Sequence, residues 1–249
     1  MKNEIIDNQE FVFGRNPVLE ALKSGQSINK ILIAKGLHGI EKIIDYARQK
    51  KVLFQFVERS AIDKVCRENN HQGVLAYISP KRYVEVEEIL AVAEAKGEPP
   101  FILLLDSIED PHNLGAILRT ADAAGVHGVI IPKRRSVPLT STVTKASSGA
   151  VFYVPVARVS NLNDAIYKLK DNRVWIVGLD SLAEQEFTKA DLKLSLGLVV
   201  GSEGKGLSRL VRENCDFLVK VPMKGEISSL NASVSAAIAM YEVVRQRWG

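Results

Sequence analysis

The chain has little cysteine. Cys66 and Cys215 are its only two, far apart in 249 residues and without a CxxC pair or a neighbouring Cys/His cluster. That excludes a disulfide framework and a zinc site, so no metal is expected, and it fits a reducing cytoplasm. Long hydrophobic runs are also missing. No window approaches the ~20 apolar residues that span a bilayer, and Met1–Glu10 mixes charges with isolated apolar residues, unlike a secretory leader. Neither a membrane partner nor secretion is expected. Internal repeats and low-complexity segments are absent, and aromatic residues make up only 6%. Charge of one sign is scarce too: 33 Lys+Arg against 29 Asp+Glu leave a net +4, too small a total to announce a nucleic-acid partner. What remains, 46% hydrophobic and 25% charged residues, describes a globular protein of one large or two modest domains.

The charge is unevenly placed. Residues 11–82 carry 13 Lys+Arg against 6 Asp+Glu, a net +7, whereas residues 83–98 carry one lysine against five glutamates. A local field, and not the total, governs association with phosphate. On charge alone, a lysine-rich surface and an RNA- or DNA-binding segment are equal readings.

Short apolar runs rich in β-branched residues read as strands at Ile31–Ala34, Val52–Val57 and Val74–Ile78, with helical spacing at Ile40–Gln49 and Ala61–Glu68. Asn16 before Pro17 reads as a helix N-cap. Val84–Lys96 is an acidic helix or tether, and Gly97-Glu98-Pro99-Pro100 is a break. Beyond it, nearly all-apolar runs at Phe101–Asp106, Gly128–Ile131, Val174–Leu179, Gly197–Val200 and Phe217–Val221 alternate with helical segments. This pattern predicts an α/β domain whose mostly parallel sheet is covered by helices on both faces. The expected division is a tail at 1–10, a basic α/β domain at 11–80, a linker at 81–98 and the larger α/β domain at 99–249. Ligands of such sheets bind beyond the carboxyl ends of the strands.

Three loops at those ends are unusual. The first, Asp106–Arg119, holds Asn113 as a helix-start candidate and Arg119 about one and a half turns on. A guanidinium suits phosphate because its planar fork donates bidentate hydrogen bonds and stays charged; a surface Arg ion-paired to Asp122 or Glu109 is the plainer reading. The second places Gly201, Gly204 and Gly206 directly after a strand, with Glu203 and Lys205 among them. Its spacing is neither that of a P-loop nor GxGxxG, so an ordinary structural turn also explains it. The third crowds Ser228, Ser229, Asn231, Ser233 and Ser235 around the start of a long helix. Small polar residues there can be plain caps. The stripe Leu230, Val234, Ile238, Tyr241 reads as a buried face.

Taken in order and at these spacings, the Asn113…Arg119 segment, the Gly201-Ser-Glu-Gly-Lys-Gly206 loop and the Ser229-Leu-Asn-Ala-Ser233 helix start resemble the three motifs of the SpoU (TrmH-type) ribose 2′-O-methyltransferases of the SPOUT superfamily. Gly14-Arg-Asn-Pro-Val-Leu-Glu-Ala-Leu22 and His71-Gln-Gly-Val74 resemble the substrate-binding extension of the subgroup acting on a guanosine of bacterial large-subunit (23S) rRNA. Ala232 stands where members often have Val. The resemblance implies a trefoil knot, S-adenosylmethionine (SAM) as methyl donor held near Gly201, Val221 and Leu230, and a homodimer that places Arg119 near the partner's cofactor. It further implies RNA as substrate, Arg119 as catalytic residue with Asn113, Glu203, Ser229 and Asn231 around the ribose, and Arg15 and Asn16 as RNA contacts. Competing readings are a tRNA ribose methyltransferase, a non-catalytic ribosome-assembly factor, and an α/β nucleotide-phosphate enzyme. The failed P-loop spacing and the lack of a Mg²⁺ carboxylate set disfavour the last.

Overall fold

The computed structural model describes residues 10–66, 70–227 and 229–248. The expected N-terminal tail, apart from Glu10, and Ser228 lie outside them. The chain forms two compact units, residues 1–82 with 139–153, and residues 83–138 with 154–249.

The first unit contains β1 (Phe11–Phe13), α1 (Arg15–Ser24), β2 (Ile28–Ala34), α2 (Glu41–Gln49), β3 (Phe54–Val57), α3 (Arg59–Val65) and β4 (Val74–Ile78). The sheet order is β1-β4-β2-β3, antiparallel except for β2 with β3. Alternation along β2 divides the core between the two faces. Ile31 and Ile33 pack with Val18, Leu22 and Ile43 of α1 and α2, while Leu32 and Ala34 pack with Ile62 of α3 and with Phe13 and Cys66. The first helix begins two residues earlier than the sequence suggested. Gly14, at φ +97°, occupies the cap position, so Asn16 and Pro17 lie within the first turn. The segment from Leu139 to Tyr153 clusters with this unit. It carries α6 (Ser141–Ala146), and Lys81 Nζ donates to the Val151 carbonyl. Burial pulls the Lys81 ammonium down to about 8.

The second unit contains α4 (Val86–Lys96), β5 (Phe101–Asp106), α5 (Pro111–Ala123), β6 (Gly128–Pro132), β7 (Val156–Val159), α7 (Leu162–Asp171), β8 (Trp175–Leu179), β9 (Leu196–Gly201), α8 (Arg209–Glu213), β10 (Phe217–Val219) and α9 (Ala232–Trp248). Six parallel strands run in the order β10-β8-β9-β5-β6-β7. Of the two readings of Val84–Lys96, the structure has the helix. A reciprocal capping box between Glu85 and Glu88 starts α4, and Val86 and Ile89 join Leu162, Ile166, Leu169 and Val211 against Ile102, Leu104, Ile130 and Val199. Helix α9 packs on β9 and α5. The chain winds outward from β5 through β6 to β7, then returns to set β9 against β5's other side. The strand order therefore reverses between β5 and β9, where the following loops diverge and leave room for a ligand.

Candidate active site

At this reversal, Asp106 ends β5 directly opposite Gly201, the last residue of β9. Asp106 is 6% exposed and satisfied from two sides, its Oδ2 accepting from the Ser208 amide (2.6 Å) and Oδ1 from the Ser107 hydroxyl (3.1 Å). It thereby fastens the far end of the glycine loop to the neighbouring strand. Sequence reading did not single out Asp106 for this role; the available signal was one acid closing an otherwise apolar strand.

The glycine loop turns back on itself, Ser202 and Gly206 exchanging backbone hydrogen bonds of 3.2 and 2.9 Å. A Cβ on Gly201 would lie 2.2 Å from the Gly206 carbonyl carbon and 2.6 Å from the Leu207 nitrogen. Glycine is therefore required first by the loop's own backbone, before any ligand approaches.

The three loops meet at Asn231, immediately ahead of α9. Its Oδ1 accepts from the Ser233 amide (2.9 Å) and hydroxyl (2.6 Å), which caps the helix. Its Nδ2 donates to Asn113 Oδ1 (3.0 Å) and to Glu203 Oε2 (3.2 Å). Because a carboxylate only accepts, this network fixes which end of the Asn231 amide carries nitrogen. Asn113 is not a helix cap: Asp110 caps α5 by accepting from the His112 amide (3.0 Å), with Pro111 in the first turn. That leaves the Asn113 side chain free for the network.

Two cavities flank this junction. One is lined by Leu179, Asp180, Val200, Gly201, Val221 and Leu230, with Ser229 and Glu203 also on its wall. All three expected cofactor contacts thus face one cavity. Asp180, held by Arg212 Nε at 3.3 Å and accepting from the Leu182 amide (2.8 Å), brings a carboxylate to that wall. Apolar walls for a ring and two acids suited to a cation fit a sulfonium nucleoside such as SAM. The second, larger cavity adjoins the first through Ser202, Glu203 and Gly206 and is lined by Asn113, Asp110, Arg135 and Lys205.

Arg119 is not brought to this junction. It is exposed on α5, six residues and so about 240° round the helix from Asn113, and lines neither cavity. The stripe read as buried on α9 is open in the single chain: Val234 is 46%, Ile238 36% and Tyr241 51% exposed. The buried face is instead Ala232, Ala236, Ala239, Met240 and Val243, because alanines let α9 lie close to its neighbours.

In the first unit, the two expected substrate-binding segments come together. Gln72 Oε1 accepts from the Arg15 amide (3.0 Å), and the Gly14 amide donates to the Val74 carbonyl (3.0 Å). His71 is buried; its Nδ1 accepts from the Gly73 amide (3.0 Å), so Nε2 carries the proton toward Asp63 Oδ1 (2.7 Å). Asn16 is exposed and Arg15 half-buried.

A parallel α/β sheet with a polar junction between adjoining cavities at its strand-order reversal defines an enzyme that holds a small donor beside a larger acceptor. Comparison with known proteins specifies the class. Residues 100–241 match the SpoU rRNA Methylase family, and residues 11–84 match the domain family for RNA 2′-O ribose methyltransferase substrate binding. YacO of Bacillus subtilis, named a TrmH family tRNA/rRNA methyltransferase, is 47% identical over 240 residues, 96% of each chain. The SpoU methyltransferase AviRb of Streptomyces viridochromogenes, solved in complex with the cofactor AdoMet, superimposes with a TM-score of 0.82 at 25% identity, covering 96% of this chain and 91% of its own. An AdoMet-bound rRNA methyltransferase from Sinorhizobium meliloti gives 0.79 at 26% identity, covering 95% and 87%. The chain belongs to the SpoU family and is a SAM-dependent RNA methyltransferase.

Proposed function

We propose that this enzyme methylates a ribose 2′-hydroxyl of RNA, at a guanosine of bacterial 23S rRNA, and works in the cytoplasm as a homodimer. The observation that carries this reading is the Asn231 amide, which ties Asn113, on the larger cavity, to Glu203, which lines both cavities. An acceptor oxygen entering from the larger cavity meets Glu203 beside the smaller one. The rRNA preference rests on the substrate-binding domain at the N-terminus and on the likeness to a named rRNA methyltransferase along nearly the whole chain.

Gly201, Val221 and Leu230 would hold SAM in the smaller cavity, where its sulfonium would supply an electrophilic methyl group. The chain's own residues do the rest. Asn113, Glu203, Ser229 and Asn231 would position the ribose so that an O–CH₃ bond can form as the sulfonium gives up its methyl group and leaves as a neutral thioether, the hydroxyl proton passing to water. A guanidinium is not a general base, so Arg119 has another role. It binds the adjacent phosphate and stabilises charge developing on the oxygen. Its place outside the site of its own chain and the open Val234–Ile238–Tyr241 stripe both support its delivery by a partner subunit. We read the glycine loop and the return into α9 as the crossing of a trefoil knot. The basic domain at 11–80, with Arg15 and Asn16, selects the RNA through salt-dependent phosphate contacts, and the domain at 99–249 performs the transfer.

The test is transfer from labelled SAM to separate rRNA and tRNA fractions, with the modified ribose mapped. Label on a guanosine 2′-oxygen of 23S rRNA supports the reading. Label confined to tRNA overturns the substrate, and SAM binding without transfer favours the assembly-factor reading. Delivery in trans is checked by mixing Arg119→Ala with Asn231→Ala protein: mixed dimers regain activity that neither variant has alone.

A further inference from the structure

The loop after β6, Lys133-Arg134-Arg135-Ser136, is the densest run of positive charge in the second unit, and no role described above uses it. It lies at the strand end that carries the site. We propose that Arg135 is a positioning residue that grips an RNA backbone phosphate next to the acceptor ribose, with Lys205 as a second cation on the same cavity. This assignment rests on the reading of the larger cavity as the acceptor site.

Three observations carry it. First, Arg135 and Lys205 line the larger cavity together with Asn113 and Glu203, so a cationic pair and the ribose-positioning group bound one space. A nucleotide needs both: a place for its sugar hydroxyl and a counter-charge for its phosphate. Second, Arg135 is held in the left-handed region, at φ +57°, a conformation uncommon for a residue with a side chain and a recurrent feature of ligand clamps. Third, the loop is fastened on both sides. The Lys133 amide donates to the Val159 carbonyl (2.7 Å), and Arg158 Nη2 donates to the Lys133 carbonyl (3.2 Å). The Ser136 hydroxyl donates to the Pro132 carbonyl, and the Val137 amide donates to the Ile108 carbonyl (3.3 Å) on the first site loop. The charge is thus presented from a fixed backbone. An arginine fork matches phosphate bidentately, whereas Lys205 acts as a point charge between two glycines.

The test uses full-length protein carrying Arg135→Gly, which removes the side chain while suiting the positive φ, together with Arg135→Lys and Lys193→Ala. Lys193 precedes β9 at the opposite end of the sheet and controls for loss of one charge. Direct RNA binding across a salt series, SAM calorimetry and steady-state transfer are read in parallel, with thermal melts to verify folding. The expected result for Arg135→Gly is a KM for RNA raised about tenfold and a salt slope reduced by about one, with SAM affinity unchanged. Arg135→Lys falls between, and Lys193→Ala matches the wild type. RNA affinity and slope unchanged in Arg135→Gly overturn the proposal, as does an equal effect of Lys193→Ala. A wild-type enzyme that binds RNA but methylates none contradicts the proposed function instead; the binding arms still report on Arg135.

Discussion

The two ends of the six-stranded sheet are built on opposite plans. At the amino end, polar groups are spent on closing the fold. Arg247 donates to the carbonyls of Pro99 (2.9 Å), Pro100 (3.0 Å) and Leu194 (2.6 Å) and lies over the Phe101 ring at 5.2 Å. Buried His127 accepts from the Phe101 amide at Nδ1 (2.9 Å) and meets Glu98 through Nε2 (3.0 Å). At the carboxyl end, half-buried Asn113 and exposed Glu203 and Asn231 are held chiefly by one another, beside two cavities. One end seals strands that hydrogen bonding alone leaves unfinished; the other keeps polar groups oriented but available. Stability and chemistry are therefore separable in this unit.

That separation can be broken experimentally. The sharpest loss of ligand binding is expected from Gly201→Ala. Its new Cβ meets backbone and not a movable side chain, so the glycine loop must shift, and SAM affinity falls at least about tenfold, or ~1.4 kcal/mol, by calorimetry. Unchanged affinity would mean that the loop's shape is not what the cofactor reads. Arg247→Ala is next and acts on the other side of the comparison. Loss of its charged hydrogen bonds to three carbonyls costs about 2 kcal/mol in denaturant unfolding, while SAM affinity stays as in the wild type. A parallel loss of SAM binding would show that the two ends are coupled.

The smallest effect is a pH dependence. Burial lowers the His127 pKa below its usual value near 6.5, against the raising influence of Glu98, so the folded state takes up its proton less readily than the unfolded chain. Its contribution to stability is complete above pH 6.5 and is lost as pH falls from there through the folded pKa. Thermal melts of the wild type should drop over that interval more than those of His127→Gln, and identical pH profiles would remove His127 from the account.

Much of this was legible beforehand, and the exceptions have physical causes. The buried run Phe101–Asp106 announced a central parallel strand, but β1 and β7, at three and four residues, carry too few alternations to register. Val234, Ile238 and Tyr241 fall on a helix as expected, with Leu230 just ahead of it, yet large apolar residues did not mark the buried side, because alanines made the close-packed face. Residues of the three loops were recognisable together, whereas the bond from Asn231 to Asn113 spans 118 positions and only the fold brings it into view. Gly201 was noticed for a ligand's sake, and the loop's own backbone proves the stricter constraint. Asp106 and Arg135 went unremarked, one masked by an apolar strand and the other by an ordinary-looking basic loop.

The central claim is that the three loops act as one unit through Asn231. A double-mutant cycle between Asn113→Ala and Asn231→Ala, read as the single-turnover rate of methyl transfer to RNA with SAM saturating, tests it most directly. If the unit exists, each single variant costs about as much as the double, a coupling of the order of 1–3 kcal/mol. Costs that simply add would contradict it.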